Sequence, residues 1–246
     1  MPDIRKSVLI LGGTGEASEL AERLENLARY RVITSLAGRT LDPRRTSGEI
    51  RIGGFGGAEG LAAFLREEAI DVLVDATHPF AEKISANAAR AAERSGTRLL
   101  VLQRSAWPQE PGDRWIVVKT LQQACQAIPP SSRVLLALGR QYIAAFTARP
   151  DVHFIIRMVD RPDEPLAFPS FEMIIGKPSA DPAAEERLLR DGKVSHIVCR
   201  NSGGNGAYAK ILAARRLSIP IIMIDRPTAE TGGAFNAVES VLTAIA

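Results

Sequence analysis

Aromatic residues make up 5% of this chain, too sparse for the stacking platform of a single-strand nucleic-acid binder. A formal net charge of +3 over 246 residues gives no warrant for a nucleic-acid partner, although acidic small molecules stay compatible with it. Two cysteines are too few for a disulfide framework; Cys125 falls in a predicted helix and Cys199 in a predicted strand, so both read as buried, reduced thiols. No apolar run reaches membrane-spanning length, and Met1 to Lys6 lead into the first strand without the apolar segment and cleavage site of a signal peptide. The expectation is a cytoplasmic protein with no membrane partner and no metal. Solenoid repeats and low-complexity tracts are absent.

What is present is ordinary in amount and specific in arrangement. The apolar fraction of 46% and charged fraction of 24% are those of a globular chain, and the length allows one large domain or two small ones. Branched apolar runs at Val8–Leu11, Val32–Leu36, Ile50–Ile52, Ile70–Asp75 and Leu99–Leu102 alternate with helical patterns at Glu16–Ala28, Ala58–Glu68 and Phe80–Arg94. That rhythm implies a parallel sheet covered by helices. Proline, glycine and polar residues over 104–113 interrupt it, and a second series follows. Its predicted strands are Trp115–Val118, Arg133–Leu138, Val152–Met158, Met173–Ile175, Ser195–Cys199 and Ile221–Ile224, with helices near 120–127, 140–147, 182–190, 206–216 and 234–246. The predicted fold is α/β: two Rossmann-like domains with mainly parallel sheets facing an interdomain cleft. Residues 1–103 form the first domain, 104–113 a linker and 114–246 the second.

The first strand runs into Gly12-Gly13-Thr14-Gly15-Glu16, where glycines permit a sharp turn and expose amides ahead of a helix whose positive end suits a pyrophosphate. The place of the third fingerprint glycine is taken by Ser18. At the end of the next strand, where an NAD-specific site presents a carboxylate, the chain has Ser35 and then Arg39. A hydroxyl and a guanidinium there suit a 2′-phosphate, so the expected cofactor is NADPH; the competing reading makes Arg39 a solvated loop charge beside Arg44 and Arg45.

Three other strand ends carry polar groups. Asp75-Ala76-Thr77-His78-Pro79 opens a predicted helix with Pro79 in its first turn, and Thr77 or His78 either caps that helix or meets cofactor and substrate, His78 being a candidate acid. Arg200-Asn201-Ser202-Gly203-Gly204 repeats the strand, glycine turn and helix arrangement, with Tyr208 and Lys210 beyond it. Arg140 and Arg226 stand at two more strand ends. Converging guanidiniums suit a polyanionic ligand, whereas His153 and His196 sit inside strands at packing positions.

Taken in order, Leu11-Gly12-Gly13-Thr14-Gly15-Glu16, Asp75-Ala76-Thr77-His78-Pro79-Phe80-Ala81, Leu138-Gly139-Arg140, Asn201-Ser202-Gly203-Gly204 and Ala207-Tyr208-Ala209-Lys210 resemble the precorrin-6A reductase family of cobalamin biosynthesis, cobalt-precorrin enzymes included. The resemblance spans nearly the whole chain. Family members often have lysine before the Asn-Ser-Gly-Gly turn, where this chain has Arg200. The resemblance implies NADPH-dependent reduction of precorrin-6A to precorrin-6B, with hydride delivered to C19 and a proton to C18 of the macrocycle.

On this reading Gly12, Gly13, Thr14, Gly15, Glu16, Ser35, Arg39, Asp75, Thr77, Asn201, Ser202 and Gly203 contact the cofactor. Arg140, Arg200, Gly204, Tyr208, Lys210 and Arg226 contact the small-molecule corrin precursor, and His78 is the acid candidate. Transient contact with neighbouring pathway enzymes is a further expectation. Two alternatives stand beside it: a short-chain NADP-dependent oxidoreductase or epimerase, and a non-catalytic NADPH-sensing module.

Overall fold

A computed structural model describes residues 5–36, 48–162, 164–227 and 233–246. Arg39, Arg44 and Arg45 lie outside the described residues. The chain divides into two compact units, Met1–Ser105 with Thr228–Ala246, and Ala106–Pro227.

The first unit begins with β1 (Lys6–Leu11), α1 (Gly15–Glu25), β2 (Tyr30–Leu36), β3 (Glu49–Ile52), α2 (Gly57–Glu67), β4 (Val72–Asp75), α3 (Glu82–Ser95) and β5 (Arg98–Val101). Its strands are all parallel, in the order β3-β2-β1-β4-β5. Successive side chains of a strand point to opposite faces, so β1 feeds two cores at once. Val8 and Ile10 pack with Leu20 and Leu24 of α1, and Leu9 and Leu11 pack with Leu61 and Leu65 of α2 and Ala88 of α3. A strand apolar at every position therefore needs helices on both faces, which is what a doubly wound sheet supplies.

α3 begins two residues later than the pattern predicts, and Pro79 lies outside it. A turn closed by the Ala81 amide on the His78 carbonyl, at 2.7 Å, takes up the residues between.

The second unit contains β6 (Trp115–Val118), α4 (Leu121–Gln126), β7 (Arg133–Ala137), β8 (His153–Met158), β9 (Phe171–Ile175), α5 (Pro182–Asp191), β10 (His196–Arg200), α6 (Ala209–Arg216) and β11 (Ile221–Ile224). This sheet is also parallel throughout, in the order β6-β11-β10-β7-β8-β9. The segment predicted as a helix near 140–147 is a 3-10 helix, Arg140–Phe146. α6 begins at Ala209 rather than near 206, so the glycine turn at Gly203 and Gly204 does not abut its N-terminus.

The C-terminal helix α7 (Val238–Ile245) belongs to the first unit, not to the second domain where the sequence reading put it. Its Val238, Val241 and Ile245 recur at helical spacing and complete the apolar layer over Val8, Val32 and Leu24. Phe235 adds a parallel bridge to Leu102, and the Lys6 ammonium donates to the Ile245 carbonyl at 2.6 Å. Periodicity reveals that such a helix has an apolar face; it does not reveal which sheet lacks a cover.

The predicted linker is likewise part of a folded unit. Trp107 is buried in the core of the second unit, and both Asp113 oxygens receive the Arg215 guanidinium, at 2.8 and 3.0 Å.

Candidate functional site

In the first unit, growth of the sheet reverses at β1, which lies between β2 and β4. Leu11 and Asp75 stand side by side in register, so the loops leaving β1 and β4 emerge together at the carboxyl edge, where open α/β sheets bind ligands. Thr14 joins them. Its hydroxyl accepts the Ala17 amide at 3.1 Å as the N-cap of α1 and donates to the Ala76 carbonyl at 2.8 Å.

The glycines of the turn divide into two roles. A Cβ at Gly12 would sit 3.2 Å from Thr34 Cγ2 and 3.3 Å from Leu36 Cδ2, so Gly12 lets the turn pack on β2. At Gly13, with φ of +105°, and at Gly15, a Cβ would meet nothing within 4 Å. Packing within the fold thus gives no reason for glycine at 15, whereas close approach of a ligand does. Among the described residues the Gly15 and Glu16 amides donate to no protein acceptor, as expected of a helix's first turn. Open space, orphan amides and a positive helix end fit the pyrophosphate of a dinucleotide.

The neighbouring residues are mostly engaged in shaping this edge. Ser35 is buried, and its carbonyl accepts the Gly12 amide at 2.9 Å. One Asp75 oxygen accepts both the amide and the hydroxyl of Thr77, at 3.1 and 2.7 Å, so this carboxylate sets the loop. Glu16 pairs with Arg104 at 2.7 Å in a half-buried contact. His78 Nδ1 accepts the Phe80 amide at 3.3 Å, which in the neutral ring places the proton on Nε2.

In the second unit β7 and β10 are adjacent, and the loops after them carry Arg140 and the Arg200–Gly204 turn. Arg140 is exposed. The Arg200 guanidinium lies 4.1 Å from the centroid of the Tyr142 ring, a cation–π contact that orients it.

The other predicted contacts here hold the loop. Asn201, 6% exposed, accepts the Trp107 amide at 2.8 Å and donates to the Trp107 carbonyl at 3.1 Å, so its side chain is committed within the fold. Arg226 donates from Nε to the Asn201 carbonyl at 2.8 Å and from Nη2 to the Ser202 carbonyl at 2.9 Å.

Lys210 and Tyr208 depart furthest from their predicted roles. Lys210 is 4% exposed, donates to the Ala207 carbonyl at 2.9 Å and lies 4.8 Å from the centroid of the Trp107 ring. Burial pushes its pKa down and that of the equally enclosed Cys199 thiol up, since both lose hydration of their charged forms. The Tyr208 hydroxyl accepts from Arg215 at 3.2 Å. These commitments keep Tyr208 and Lys210 from forming a catalytic pair of the short-chain dehydrogenase kind.

A family model described as "Precorrin-6x reductase CbiJ/CobK" matches residues 7–246. The chain belongs to this family. A precorrin-6A reductase from Sinorhizobium sp is 50% identical over 220 residues, covering 89% of this chain and 84% of that protein. A cobalt-precorrin-6A reductase from Priestia megaterium is 28% identical over 251 residues, covering 97% of each. The solved structure named "CobK precorrin-6A reductase" superposes with a TM-score of 0.93 at 39% identity, over 98% of this chain and 96% of that one. The family relationship accords with two wholly parallel sheets of the α/β class. Among the described residues, no helix is long and apolar enough to cross a membrane.

Sequence reasoning missed Trp107, Asp113 and Arg215. A Trp-Pro pair inside a proline- and glycine-rich stretch was the available signal, because a large indole is costly to leave in water. It also missed the buried ion pair of Arg157 and Glu185, 3.0 Å apart, since neither charge has a sequence neighbour that marks it.

Proposed function

We propose that this chain reduces precorrin-6A to precorrin-6B with NADPH, in cobalamin biosynthesis. One observation carries the cofactor half: a turn at the reversal point of a parallel sheet, with glycines at 13 and 15 whose missing side chains would face open space. Gly12 to Glu16 would hold the pyrophosphate, and Arg39, at the end of the next strand in sequence, a 2′-phosphate. When bound, the nicotinamide supplies a hydride from its C4.

The protein's own work is to bind, orient and exclude water, with donor and acceptor carbons about 3 to 3.5 Å apart for transfer. Hydride goes to C19 and a proton to C18, so NADPH and one proton are consumed for each precorrin-6B and NADP⁺ formed. His78 is the candidate donor of that proton. Arg140 and Arg200 bind acetate and propionate groups of the macrocycle, charge-assisted contacts stronger than neutral ones. Asn201 and Arg226 act by holding the turn that presents Arg200.

The test is anaerobic incubation of the purified protein and NADPH with metal-free or cobalt-bearing precorrin-6A. Rapid loss of nicotinamide absorbance with formation of the dihydro product is expected, faster with precorrin-6A than with its cobalt-bearing form, since the 50%-identical relative is named a precorrin-6A reductase. NADPH binding with no oxidation on either substrate would leave a sensing module in place of an enzyme.

A further inference from the structure

We propose that Trp107 is a positioning residue for substrate, acting through the glycine turn at 200–204; this rests on that turn being the carboxylate-binding element. The turn cannot orient itself. Gly203 and Gly204 have φ of +65° and +66°, and consecutive glycines lacking Cβ atoms leave the backbone many alternatives of similar energy.

What selects one conformation is a set of bonds to its carbonyls. Arg226 holds the carbonyls of Asn201 and Ser202, and the Trp107 indole N–H holds that of Gly204 at 2.7 Å. In a planar trans peptide the N–H points opposite to the C=O, and no peptide among the described residues is cis. Pinning the Ser202 and Gly204 carbonyls therefore turns the Gly203 and Asn205 amides the other way. Among the described residues neither amide has a protein acceptor, so both are available to an anion.

Trp107 is itself anchored in the fold. Its backbone exchanges two hydrogen bonds with the Asn201 side chain, its ring packs near Lys210 Nζ and Tyr208, and it is 7% exposed. Asn201 thus ties down Trp107, and Trp107 ties down the far end of the turn that Asn201 begins. The segment entering the second unit and Arg226, beside its exit, both bond Asn201.

Trp107→Phe keeps an aromatic ring and the backbone bonds, removes the indole donor and leaves a small void where the second ring packed. The expected result is a rise in KM for precorrin-6A of about five- to tenfold, the scale of one buried hydrogen bond. The value of kcat and the NADPH dissociation constant should each stay within about twofold, because this proposal gives the turn to substrate in place of the cofactor contacts expected from the sequence at Asn201, Ser202 and Gly203. Arg200→Gln, measured in parallel, tests the underlying reading. A raised KM for Arg200→Gln with an unchanged one for Trp107→Phe overturns the positioning role and spares the turn. Two unchanged KM values overturn both. A rise confined to Trp107→Phe also overturns the proposal, because Trp107 would then act elsewhere.

A second measurement does not depend on Trp107→Phe folding. The chain has two tryptophans, and among the described residues Trp115 Nε1 is buried without a hydrogen-bond partner, so Trp115→Phe removes no such bond and leaves Trp107 as the single emitter. Precorrin-6A added without NADPH should lower the acrylamide quenching constant of that emission as the turn is held. No change on saturation would overturn the proposal.

Discussion

The Thr14 hydroxyl donates to the Ala76 carbonyl at 2.8 Å, joining the turn after β1 to the loop after β4 across 62 residues of sequence. That bond fixes the first turn of α1 against the strand end that carries Asp75 and His78. Under the proposed function, that bond would hold a pyrophosphate at one loop and the candidate proton donor on the other in constant relation. The same hydroxyl accepts the Ala17 amide, so one side chain caps the helix and couples the loops.

Gly15→Ala should separate stability from cofactor binding. Nothing lies within 4 Å of the added Cβ, and alanine is the better helix former, so the melting free energy should be unchanged or rise by up to about 1 kcal/mol. NADPH should bind about tenfold more weakly or worse, because the methyl occupies the approach to the amides. Calorimetric titration beside thermal melts checks this; unimpaired NADPH binding would remove the turn from the cofactor site.

Arg39→Ala should weaken NADPH by about tenfold or more while changing NADH less than about twofold, because only the former carries the 2′-phosphate. Direct binding of both cofactors decides it. Equal weakening would make Arg39 an ordinary charge.

His78→Ala should slow the single-turnover rate by about 10² or more, with NADPH affinity nearly unchanged. A single-turnover rate equal to wild type would assign the proton to another donor.

Lys210→Met should stabilise the protein at neutral pH by about 1 to 3 kcal/mol, because an apolar chain replaces a buried amine. The folded pKa of Lys210 is lowered, so across the window up to the unfolded value the unfolded chain binds more protons and wild-type stability rises with pH. The advantage of the variant should therefore shrink as pH approaches about 10.4. Urea titrations at stepped pH measure it; a constant difference would mean that Lys210 does not titrate differently on folding.

Much of this protein was legible from local pattern. Strands apolar at every position, such as Val8 to Leu11, must be buried on both faces, and glycines between such a strand and a helix mark a tight turn at the strand end. The motifs shared with precorrin-6A reductases were legible for the same reason: each is a short contiguous run. The delayed start of α3 and the 3-10 geometry at 140–146 were less so, because loop hydrogen bonds compete with helix at those places.

Side-chain destinations were a different matter. From its position, Lys210 reads as a ligand group as readily as a core residue; only the packing of α6 puts its amine against Trp107. Asn201 and Arg226 have the chemistry of ligand contacts, yet backbone carbonyls and amides from distant segments claim their donors and acceptors first. The sequence by itself determined the periodicity, hence the elements and the class of sheet, since these depend on neighbours within a few residues. Only the tertiary structure decided that α7 covers the first sheet and that Trp107 is a core residue rather than linker. Both depend on which apolar surface is left open once distant strands have paired.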